Sequence, residues 1–113
     1  MLQEGERIHV IVRRTFCEDL RRHIVAEVLE CNGSTARVEG YVFIFDTARN
    51  EFVRKDDVRI RIISLVDSGN IINILPDEAN IQNACYLTRP DGKLILTDNE
   101  SFQMDVNEFG TKR

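Results

Sequence analysis

No compact signature of chemistry stands anywhere in this chain. There is no GxxxxGK[ST], no GxGxxG after a strand-like run and no GxSxG, which argues against a nucleotide hydrolase, a dehydrogenase or an esterase. Histidine is scarce, with only His9 and His23. The three cysteines, Cys17, Cys31 and Cys85, are widely spaced and form no CxxC. Structural zinc sites need tight ligand pairs, so none is expected. Asp46, Asp56 and Asp57 lack the alternate spacing of an EF-hand loop. No metal and no cofactor is therefore expected. Long apolar runs are missing too. The longest holds about five residues, against roughly 20 for a helix that crosses a bilayer. No charged start, apolar stretch and cleavage site open the chain. The expectation is a cytoplasmic protein with no membrane partner, whose odd set of thiols stays reduced. Repeats, low-complexity tracts and linkers are absent, so the 113 residues are expected to form one domain.

What is present is charge and alternation. Charged residues make up 30% of the chain, enough for a well-solvated exterior, and the net charge is -4. That sign argues against a general nucleic-acid binder, which needs many uncompensated cations. Residues 1–62 carry 11 Lys/Arg and 11 Asp/Glu, and residues 63–113 carry 4 and 8, so the acidity lies in the second half.

Apolar and polar residues alternate in short runs separated by turns, the period-two signal of strands. Arg7–Arg13 places Ile8, Val10 and Val12 on one face and Arg7, His9 and Arg13 on the other. Thr15 followed by Glu18 fits a capping box and predicts a single helical turn over Thr15–Leu20. A strand over Arg22–Cys31 leads to Asn32-Gly33, a hairpin signal because both residues tolerate positive φ. The next strand runs from Thr35 to Phe45, with a bend or bulge expected at Gly40. Glu51–Arg54 pairs back. In Val58–Val66 the apolar phase slips after Ile62, which predicts a bulge near Ile62-Ile63. Ile71–Leu75, Ala84–Thr88, Lys93–Thr97 and Ser101–Val106 complete the set, with a helical turn or loop at Pro76–Asn83 and a frayed tail over Asn107–Arg113. Eight or nine strands joined mostly by hairpins predict an all-β, mainly antiparallel fold, a small, partly open barrel of the SH3-like or OB-like kind with one or two short helical turns.

Three sets of residues can carry function. The stretch from Arg13 to His23 holds Arg13, Arg14, Phe16, Arg21 and Arg22 on the first connection, where arginines can grip phosphates and Phe16 can stack on a base. Arg59 and Arg61 can extend that surface across the sheet. The competing reading pairs these arginines with Glu18 and Asp19, and Arg37, Arg59 and Arg61 with Glu27, Glu30 and Glu39 as cross-strand ion pairs. Cys17 and His23 can form a thiolate–imidazole pair oriented by Asp19 or Glu27, although no family signature surrounds them. Finally, Tyr41–Phe45 is apolar on both faces. Either Tyr41, Phe43 and Phe45 or Val42 and Ile44 need a cover, and Ile62–Leu65 and Ile71–Leu75 pose the same problem. The expected cover is a second copy of the chain, with Tyr41, Phe43, Phe45, Ile63 and Leu65 at the interface; the alternative is burial within one chain. The leading expectation is a non-enzymatic binding or assembly module acting as a homo-oligomer. Single-stranded nucleic-acid or polyanion binding, and a small Cys/His enzyme, are the alternatives, and no catalytic residue is assigned.

Overall fold

A computed structural model describes residues 1–66 and 68–106. The expected tail Asn107–Arg113 lies outside the described residues. Nine strands are present among those described: β1 (Arg7–Ile11), β2 (Arg22–Cys31), β3 (Thr35–Asp46), β4 (Glu51–Arg54), β5 (Arg59–Ser64), β6 (Ile71–Ile74), β7 (Cys85–Thr88), β8 (Leu94–Thr97) and β9 (Gln103–Asp105). One 3₁₀ turn covers Ile81–Asn83. The fold is all-β, and every pairing among the described residues is antiparallel.

The strands form two sheets. In the larger, the order is β4-β3-β2-β1-β6, and β5 also pairs with β3. β3 is long enough to serve two partners along one edge, β5 through Thr35–Gly40 and β4 through Phe43–Asp46. Among the described residues β5 and β6 do not pair, so this sheet does not close into a barrel. The smaller sheet is β7-β8-β9.

Alternation on β1, β2 and β3 builds two cores, one on each face of the larger sheet. Ile8, Val10, Ile24, Ala26, Val28, Ala36, Val38, Val42 and Ile63 fill the first. The opposite face gives Val25 and Phe43 to the second core, where they meet Leu75, Ala79, Ala84, Leu96 and Val106. The smaller sheet is therefore the lid on the second face, and it covers Tyr41 and Phe43 from within the chain, while Phe45 packs on Phe52. Val42 and Phe43 are both buried. Leu94 and Leu96 join Phe102, Met104 and Val106 in this second core.

Four local expectations are corrected. Thr15–Leu20 forms no helical turn. The Asp19 carboxylate accepts from the Thr15 and Phe16 backbone N–H groups at 3.2 and 3.1 Å, and Arg14 donates to the Cys17 carbonyl at 2.9 Å, which closes a loop instead. The hairpin after β2 forms at Asn32-Gly33, but neither residue takes a positive φ. The Asn32 Oδ1 accepts from the Ser34 and Thr35 backbone N–H groups, each at 2.8 Å, so an Asx-type turn replaces the primed one. β5 stays in register with β3 throughout, without a bulge at Ile62-Ile63; the irregularity lies in β2, between Val28 and Glu30. Gly40 is no bulge either. It pairs with Ala26, and a Cβ there would collide with the Val25 carbonyl oxygen and the Ala26 backbone.

Candidate functional site

The only buried cluster of titratable side chains in the described residues that meet one another lies between the two sheets. β1 and β2 pair with His9 opposite Val25 and Ile11 opposite His23, so both imidazoles point from the second face of the larger sheet. β7 brings Tyr86 to them from the smaller sheet. The Tyr86 Oη lies 3.0 Å from His9 Nε2 and 2.5 Å from His23 Nδ1, and the two ring nitrogens are 3.3 Å apart. Asn73 on β6 reaches His9 Nδ1 through its Nδ2 at 3.2 Å. One proton assignment satisfies this network: Asn73 donates to His9 Nδ1, His9 Nε2–H donates to Tyr86, and the Tyr86 hydroxyl donates to His23 Nδ1. Phe52 stacks on Tyr86 at 4.7 Å between ring centroids and lies 4.4 Å from the His23 ring.

The surroundings keep all three groups uncharged. Burial, then the neighbouring His23, pushes the His9 pKa down to about 3. Burial, then Arg21, pushes His23 down to about 4. Burial alone holds the Tyr86 phenol well above its ordinary value. Neutral imidazoles with such depressed basicity are poor proton acceptors at neutral pH. The arrangement joins the sheets through a satisfied polar network, and no buried side-chain nitrogen or oxygen among the described residues lacks a partner.

A second place gathers charge. A groove of about 420 Å³ is lined by Arg22, Lys55, Asp56, Asp57, Arg59 and Arg61, with Val42 and Ile44 as its apolar part. It lies where β3 changes partner from β5 to β4. Three arginines singled out from the sequence, Arg22, Arg59 and Arg61, thus meet here. The other four residues of that set are not among its lining. Arg13 donates its backbone N–H to Asn70 at 2.9 Å, and Arg14 is tied to the carbonyls of its own loop. Phe16 is 63% exposed. Arg21 lies over the Phe45 ring at 4.5 Å and near the Phe52 ring at 5.7 Å.

Cys17 is exposed and donates to Glu18 at 3.5 Å, whereas His23 is committed to His9 and Tyr86. No group of three or more His, Cys, Asp or Glu side chains that could hold a metal ion occurs among the described residues.

Of the residues expected at an interface, Phe43 and Ile63 are buried in the chain's own cores, and Tyr41, Phe45 and Leu65 are half-buried. Val58, Ile60 and Ile62 are exposed instead, at 53%, 60% and 65%, as are Leu20, Val66 and Ile74 elsewhere. Register explains this. Ile63 sits opposite Ala36 and shares the first core, so Ile60 and Ile62, opposite Glu39 and Arg37, fall on the other face. Sequence reasoning missed the His9–Tyr86–His23 network, because Arg7 and Arg13 made the face of His9 look polar. Ile8 and Val10 on either side of His9, with Ile11 beyond, were the available sign of a strand covered on both faces.

No protein family, curated protein or solved structure matches the chain. No helix among the described residues is long and apolar enough to cross a membrane.

Proposed function

We propose that this chain is a non-enzymatic binding or assembly module of the cytoplasm that works as a homo-oligomer, two copies joining through β5. The observation that carries this is the state of β5 itself: its outer edge is unpaired among the described residues, and Ile60 and Ile62 lie exposed along it, with Val58 exposed just before it. An unpaired apolar edge is a template for another strand. Pairing two copies antiparallel about Arg59 sets Val58 of each opposite Ile60 of the other, so the apolar side chains meet across the seam. The curl of the larger sheet around its own core supports reading it as a partly open barrel of the SH3-like or OB-like kind, and the three free thiols support a reducing compartment.

Sedimentation equilibrium at high micromolar concentration tests the assembly. The wild-type chain is expected to dimerise, and Ile60→Lys is expected to give a monomer with an unchanged circular dichroism spectrum. A wild-type chain that stays monomeric over the whole range overturns the reading.

A further inference from the structure

We propose that the groove at the fork of β3 binds a small organic phosphate, with the phosphate held by Arg22, Lys55 and Arg61 and its apolar body laid against Val42 and Ile44. Four cations and two carboxylates line this groove, leaving a surplus of two positive charges. A phosphate monoester carries close to two negative charges at neutral pH, so it matches that surplus. Arg59 is engaged, its Nη2 lying 3.8 Å from Asp57 Oδ2. Arg22, Lys55 and Arg61 make no ion pair with a described residue. Three cations brought together from β2, the β4–β5 connection and β5, none paired with a described residue, repel one another, and an anion among them removes that cost. Guanidinium groups suit phosphate because their planar forks meet two oxygens at once. Val42 and Ile44 sit on the same face of β3 and supply an apolar wall that inorganic phosphate does not use. The volume, about 420 Å³, falls in the range of small-molecule sites and is far too small for an extended chain. Asp56 and Asp57 on the rim also weigh against a long polyanion, whose successive phosphates would meet them.

Ile60→Lys alters the proposed seam without touching a residue that lines the groove. Arg59 and Arg61 alternate with Ile60 and Ile62 along β5 and so lie on the opposite face, and Arg22 and Lys55 are not on β5 at all. Titration of the full chain with phenyl phosphate, followed by amide chemical shifts, tests it. Saturable shifts are expected at Val42, Ile44 and Lys55, with inorganic phosphate and phenol each binding more weakly. Arg22→Gln and Lys55→Gln are each expected to weaken binding by about tenfold, the loss of one charge-assisted contact. Both positions tolerate the change because neither side chain is in a core. Absence of saturable shifts in the wild-type chain overturns the proposal, and so does equal binding of phenol. Tighter binding of a short oligothymidylate, with shifts spread over residues 13–16, also overturns it and identifies a nucleic-acid track instead.

Discussion

His9 sits at the middle of β1 with no exposed surface, and its ring can keep its hydrogen bonds only while neutral. Protonation of His9 would place a second N–H against the Asn73 amide, and protonation of His23 would remove the acceptor of the Tyr86 hydroxyl. In the unfolded chain both residues return to a pKa near 6.5, whereas in the fold they titrate at about 3 and about 4. The unfolded state therefore binds protons first as pH falls. Stability is full above about pH 6.5 and declines below it, by about 1.4 kcal/mol per pH unit for each histidine, until the folded values are reached. Urea unfolding between neutral pH and pH 4.5 checks this, and a midpoint that stays flat across that window would falsify it. Asp98 acts lower on the scale. Its burial raises the carboxyl pKa, but hydrogen bonds from the Ser101 hydroxyl and from the backbone N–H groups of Asn80, Ser101 and Glu100 outweigh burial and hold it well below the usual carboxylate range. Its contribution is present above about pH 4 and is lost only in stronger acid.

Among the elements, β3 has the most demanding position. It pairs with β2 along one edge and with both β4 and β5 along the other. Gly40 stands where β2 presses closest, and its alternation partners Val38 and Val42 are buried. Gly40→Ala places a methyl group against the backbone of β2, which cannot move aside without breaking the ladder on Val25 and Ala26. The expected loss is about 3 kcal/mol, read from the urea midpoint, with the damage centred on the β2–β3 pair. A substitution that leaves the midpoint unchanged would show that β2 yields at this point. β5 illustrates the opposite condition. Among the described residues it is held on one side only, and it turns Ile60 and Ile62 outward, so Ile60→Lys is expected to alter association while leaving the stability of the single chain close to wild type.

At the scale of the whole molecule, the smaller sheet is attached by the second core and by one polar network. Leu96 lies fully buried at the centre of that core. Leu96→Ala is expected to cost about 3 kcal/mol and to raise amide exchange in β7, β8 and β9 more than in β2. Uniform acceleration across both sheets would instead mean that they unfold as one unit. The same arrangement makes the acid response a property of the junction, because His9 and His23 come from one sheet and Tyr86 from the other.

The strands were legible in the sequence because side-chain alternation is local. β2, β3, β4 and the core-facing set of β8 and β9 follow from period two and from turn residues that lie next to them. The choice of which face is buried was not local. His9, Ile60 and Ile62 show why: a strand exposes or buries a face according to what another part of the chain lays on it, and residues 85–105 supply that cover for His9 but not for Ile60. The three arginines of the groove were each visible as cations, yet only the pairing of β2 and β5 on either side of β3 brings Arg22 to Arg59 and Arg61. Composition and alternation by themselves thus determined an all-β, antiparallel chain with a charged exterior. The tertiary structure alone decided the two-sheet layout, the buried His–Tyr junction and the edge of β5 left unpaired among the described residues, since each depends on contacts between residues tens of positions apart.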